Sequence, residues 1–231
     1  MTPTPGQIYL ADQRGLVTSP QQQRFCTLNF GSYTAAGREP FGRLLAVNEE
    51  SLAPGQAVAF PVAQATSLLL LPVTGEVAYG ASTGLAGAVD VEEVQLLALP
   101  AGSTVELRNP YDDAVITLLH LWLAADEASL PVHSQLFTYQ FAALDNQLAE
   151  LVPATAQYHF SLYLGRFQGR CEAVHQVSAP GHRLFALVLA GAFELEGRLL
   201  HAHDGLALWD CPAAELEALS NDALVLLLEL T

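Results

Sequence analysis

Short apolar or alternating runs, separated by Gly, Pro and Asp, recur along the whole chain, and this punctuation predicts strands throughout. The runs repeat in the same order. The first series reads AVNEESLAPG (46–55), LLLLPVTGEVAYG (68–80), VQLLALPAG (94–102) and AVITLLHLWL (114–123). The second reads AVHQVSAPG (173–181), FALVLAGAFELEG (185–197), DGLALWDCP (204–212) and ALVLLLEL (223–230). Each has a Pro-Gly turn, an apolar strand, a Gly turn, a return strand ending in Gly, a short strand and a closing apolar strand. Gly75 and Gly191 align at an offset of 116 residues, about one small β-domain. An internal duplication explains the order, and two antiparallel jelly-roll barrels, closed to hide their edges, satisfy it. The alternation in VEL (105–107) and FELEG (193–197) predicts strands with one wet and one buried face. SQLFTYQFAALDNQLAELVP (134–153) fits either helix or strand. The polar, proline-broken stretch 124–134 is the expected junction, giving domains over 1–130 and 131–231.

Composition narrows the class. At 231 residues with 51% hydrophobic and 14% charged positions, the chain can bury a large core. Its 24 acidic and 9 basic residues give a net charge of −15 with no Lys/Arg cluster, which argues against direct DNA or RNA binding. The longest apolar runs, LLLLPV (68–73) and ALVLLL (223–228), are too short to span a bilayer as a helix, and the first residues lack a secretory pattern. Cys26, Cys171 and Cys211 are odd in number and widely spaced, as expected of reduced thiols in a cytoplasmic protein.

QRG (13–15), RFCTLNFGSY (24–33), FGRLLAVNEESLAPG (41–55) and LLHLWL (118–123) together resemble the pirin family of bicupins, and the second half looks like the smaller C-terminal cupin of pirin-like and quercetinase-like proteins. The resemblance implies an all-β bicupin. It also implies a metal in the first barrel, held by three histidines and a glutamate, with open positions for substrate or dioxygen. Counted from Gly75 and from Ala101-Gly102, the four ligand positions fall on Pro61, Ala63, Leu107 and Asn109, none of which supplies the imidazole or carboxylate. A slip of one or two residues does not help, because residues 56–72 contain no His, Asp or Glu. The expectation is therefore a degenerate metal site without a metal or other cofactor, lined near those four residues and suited to a small apolar ligand or filled by side chains.

The remaining candidates have ordinary explanations. HAHD (201–204) sits where a polar turn is expected, and His175 and His182 flank the second Pro-Gly turn without obvious partners. His120, within an apolar strand, reads as a core or pocket histidine. Glu49 and Glu50 read as a turn entry with one carboxylate capping backbone amides. The functional expectation is a metal-free, non-catalytic ligand-binding or regulatory protein with a protein partner. A quercetin 2,3-dioxygenase-like metal-dependent oxygenase and a structural homodimer are the alternatives.

Overall fold

The computed structural model describes residues 4–126 and 132–231. Regular helix is confined to two 3-10 turns among these residues, Ala11–Gln13 and Phe141–Leu144, and no helix is long and apolar enough to cross a membrane. The strands, in chain order, are β1 (Gly6–Tyr9), β2 (Gly15–Ser19), β3 (Gln22–Cys26), β4 (Leu44–Leu52), β5 (Ala57–Pro61), β6 (Thr66–Thr74) and β7 (Val77–Ala81). Then follow β8 (Ala86–Val89), β9 (Glu93–Leu99), β10 (Thr104–Arg108), β11 (Ile116–Ala124), β12 (His133–Thr138), β13 (Gln147–Val152) and β14 (Phe160–Phe167). The last seven are β15 (Glu172–Gln176), β16 (Arg183–Ala190), β17 (Ala192–Leu195), β18 (Arg198–His201), β19 (Gly205–Leu208), β20 (Ala213–Ala218) and β21 (Ala223–Leu230). The ambiguous stretch 134–153 is thus mainly strand, interrupted by one 3-10 turn.

Two compact units result, Arg14–Thr138 and residues 4–13 with 139–231. In the first, a seven-stranded sheet (β12-β9-β6-β11-β4-β3-β2) lies over a four-stranded one (β5-β10-β7-β8). Leu52, Leu68, Leu70, Leu97 and Leu118 of the large sheet meet Phe60, Val77, Val105 and Leu107 of the small one in a single apolar core. In the second, the sheets are β1-β19-β16-β21-β14-β13 and β15-β20-β17-β18, and the core joins Phe167, Leu184, Val225 and Leu227 to Phe193, Leu195 and Leu216. All named pairings are antiparallel, and many join strands far apart in sequence, such as β4 with β11 and β6 with β11, as a jelly roll requires.

The boundaries differ from the expected 1–130 and 131–231. β12 pairs with β9 and so belongs to the first unit, while β1 pairs with β19 and belongs to the second. Residues 127–131, within the expected junction at 124–134, lie outside the described residues.

Gly75 and Gly191 do correspond: both have positive φ (69° and 73°) and join equivalent strands, β6 to β7 and β16 to β17. The left-handed backbone suits glycine there, and a Cβ on Gly191 would fall 2.3 Å from Ser220 Oγ. The two Ala-Pro-Gly turns do not correspond. The first precedes β5, whereas the second follows β15, the counterpart of β5. A shared tripeptide was a poorer guide than glycines forced by backbone geometry.

Candidate functional site

The strands on which the resemblance places the metal ligands, β5 and β10, turn apolar residues inward. On β5 the exposed and buried positions alternate, so Phe60 and Val62 face the interior while Pro61 and Ala63 are exposed. On β10, Val105 and Leu107 are fully buried, with Val105 opposite Phe60 and Leu107 opposite Val58. Asn109 is also buried, but its amide donates to the carbonyls of Leu52, Ala53 and Ala114 at 2.7–3.1 Å, and its oxygen accepts from the Tyr111 N–H at 2.9 Å. Pro61, Ala63, Leu107 and Asn109 therefore do not converge on one point. Of the four, only Leu107 and Asn109 are buried; Leu107 has no donor atom and the Asn109 amide is committed to backbone groups. Among the described residues no group of three or more His, Cys, Asp or Glu side chains is placed to hold a metal.

The polar chemistry of this barrel lies on the large sheet. Arg24, Glu50, Asn48 and His120 are all buried, and Glu50, Asn48 and His120 are fully so. Arg24 Nε donates to Glu50 Oε2, and its guanidinium lies over the rings of Phe60 (4.6 Å) and Phe30 (5.5 Å). Arg14 pairs with Glu49 at 2.9 Å. Glu49 and Glu50 thus sit in mid-strand on β4, each facing an arginine, and the expected turn-capping role is corrected. The alternation of β4 forces neighbouring side chains to opposite faces, so the pair never acts together.

The Trp122 indole N–H donates to His120 Nδ1 at 2.8 Å. Indole nitrogen can only donate, so Nδ1 holds the lone pair and the imidazole proton is on Nε2. That N–H points towards Glu50 Oε2 at 3.5 Å, close enough for electrostatic attraction but too long for a good hydrogen bond. A metal on Nε2 would need the opposite tautomer and break the Trp122 bond. Burial pushes the His120 pKa below its ordinary value, against the opposing pull of Glu50. The unfolded chain takes up this proton near pH 6.5 and the folded one resists it, so the stabilisation is full above that pH and is lost as pH falls towards the lower folded value. Denaturant titrations between pH 7 and 5 should show the first barrel weakening, with a shallower slope for His120→Gln. Cys26, on the same sheet, has its thiol pushed up to about 11, chiefly by burial, and stays protonated and unreactive.

The second barrel reverses this arrangement. Aligning Gly75 with Gly191 sets Leu68 on Leu184; Leu68 lies opposite Trp122, and Leu184 lies opposite Glu229. Glu229 therefore stands where the first barrel has Trp122. By the same register, through Leu107–Tyr79 and Leu216–Leu195, His175 stands where the first has Phe60. His175 Nε2 is 2.8 Å from Glu229 Oε2, and His182 Nδ1 is 2.7 Å from Oε1. The Ser178 N–H donates to Oε1 at 2.8 Å and its hydroxyl also donates there. Burial opposes ionisation of Glu229, yet the hydrogen bonds from Ser178, His182 and His175 outweigh it and hold the carboxyl below its ordinary value. Ser, His and Glu are present but do not form a nucleophilic triad. The serine hydroxyl and the carboxylate meet the same histidine nitrogen, and the hydroxyl is spent on the carboxylate. HAHD (201–204) forms the turn before β19, where Asp204 accepts from the N–H groups of Ala11 and His201.

Residues 154–230, most of the second barrel, match the family described as the quercetinase C-terminal cupin domain. The chain is 25% identical to quercetin 2,3-dioxygenase of Escherichia coli strain K12 over 96% of its own length and 98% of the relative's. Its fold superposes on the crystal structure of YhhW from Escherichia coli with a TM-score of 0.87, at 21% identity, over 98% of this chain and 97% of that one. The structure of bacterial pirin YhhW in complex with nickel(II), from the same organism, gives 0.82 at 20% identity, over 97% and 98%.

The chain has the fold of a pirin-like bicupin. Within this bicupin, Arg24 and Glu229 were the residues that sequence reasoning passed over. Glu229 is a lone charge in an otherwise apolar strand, and that isolation is the signal; Arg24, in QQRFC, has polar neighbours and carries no such signal. A charge with no neighbour in sequence but a buried position in the sheet must find its partner across strands.

Proposed function

We propose that this pirin-like bicupin is a non-catalytic binding or regulatory protein, and that it does not perform the reaction named in its curated relatives, quercetin 2,3-dioxygenase. The observation that carries the reading is the apolar inner wall of the first barrel: Val58, Phe60, Val62, Val105 and Leu107. Oxygenation of a flavonol needs a centre that brings substrate and dioxygen together, and that wall offers nothing to bind one. Packing of the Phe30, Phe60, His120 and Trp122 rings, with centroids 5.2–6.2 Å apart, supports an interior occupied by the chain's own side chains. Elemental analysis of tag-free protein prepared without chelator should give no stoichiometric iron, nickel, manganese or zinc. Quercetin absorbance should stay constant in air when those metals are added. One tightly held metal per chain together with quercetin consumption would overturn the reading and favour the oxygenase.

A further inference from the structure

The large sheet of the first barrel turns a polar patch into an apolar core. Period-two alternation puts Ala46, Asn48, Glu50 and Leu52 of β4 on one face; Ala46 and Leu52 belong to the core, so Asn48 and Glu50 face it too. By the same rule Leu118 and Trp122 place His120 of β11 on that face, and His120 lies directly opposite Asn48 in the ladder. Asn48, Glu50 and His120 are all 0% exposed. Six buried side-chain polar atoms among the described residues have no hydrogen-bond partner in the protein. Four of them belong to this patch: both amide atoms of Asn48, Glu50 Oε1 and His120 Nε2. Burying even one such atom unpaired is costly, so four together point to a bound group.

The hydrogen-bonding sense of each atom selects that group. Asn48 offers one donating and one accepting end, and the Glu50 carboxylate, paired with Arg24, only accepts. The Trp122 indole occupies His120 Nδ1, so Nε2–H donates. A metal ion has no acceptor for the His120 proton, and an anion has no donor for Glu50. An oxygen that carries hydrogen serves both. Phe30 and Phe60 close over His120 with ring centroids at 5.8 and 5.2 Å, which favours the smallest such molecule.

We propose that the first barrel holds an internal water at this patch. It accepts from His120 Nε2–H, donates to Glu50 Oε1 and bonds to the Asn48 amide, about the three contacts usual for a buried water. The site is sealed from bulk solvent, so this water exchanges only when the barrel opens. The inference rests on the large sheet and is independent of what the opposite wall binds.

Magnetic relaxation dispersion of ¹⁷O detects waters held far longer than those at a protein surface. The unaltered protein should hold a long-lived water that Asn48→Leu lacks, since leucine has nearly the same shape without the polar ends. Losing the water strands Glu50 Oε1 and His120 Nε2–H, so the unfolding equilibrium constant of the variant in urea should rise about tenfold. A dry amide gives the opposite sign: leucine would then remove two unpaired polar atoms and stabilise the barrel. In the unaltered protein, His120 Nε2–H should also show a dipolar cross-peak to the water resonance, a measurement that needs no variant to fold. Equal numbers of long-lived waters in the two proteins, a variant more stable than its parent, or no such cross-peak would each refute the assignment.

Discussion

Replacing Glu50 with alanine should lower the thermal midpoint of the first barrel by roughly 10–20 °C, the shift that corresponds to a loss of about 3–5 kcal/mol. The size follows from what remains behind. Arg24 is 7% exposed and cannot shed its proton, so without Glu50 it becomes an uncompensated charge against Phe30 and Phe60. The loss is the cost of stranding Arg24, not the worth of the ion pair. Accordingly, Arg24→Met combined with Glu50→Leu should be far milder than either single change, because both charges leave together. A double-mutant cycle in urea checks this, and additive single effects would show that the pair is not coupled. Raising the salt concentration should change little, since bulk water and its ions do not reach the pair.

Trp122→Ala should have an effect of similar size, about 3–5 kcal/mol, for a different reason. The indole is 4% exposed and packs on Phe30 and Phe60 with centroids at 5.2 and 5.8 Å, so truncation opens a cavity that rigid neighbouring strands cannot close. It also orphans His120 Nδ1, which lets the imidazole change tautomer. Trp122→Phe keeps most of the ring volume and loses only the N–H donor, so it should cost clearly less. Equilibrium unfolding of the two variants separates cavity from hydrogen bond. ¹⁵N spectra of His120 in Trp122→Phe should show the proton distributed over both nitrogens. An unchanged Nε2-protonated ring would mean that Glu50, rather than Trp122, sets the tautomer.

The architecture was legible in the sequence because turns and strand alternation are local. Gly75 and Gly191 both take the left-handed backbone that glycine favours at a tight turn, and they mark the same corner in both barrels. Counting from a glycine located Pro61 and Ala63, and a pleat with period two puts them outward and Phe60 and Val62 inward. The partners of Glu50 and Glu229 were illegible for a further reason. Arg24 lies 26 residues from Glu50, and Ser178 lies 51 from Glu229. Such meetings depend on cross-strand register, which no short window of sequence contains.

The pairing of β1 with β19 sets an order of events. Tyr9 faces Gly205 and Gly6 faces Leu208, so a four-residue segment synthesised early must wait for partners made almost two hundred residues later. During that interval another complete barrel is translated, and Gly6–Tyr9 has no ladder to join. The strand therefore acts as a late clasp. Until it closes, the outer edge of β19 is an open sheet edge available to any extended segment in the surroundings.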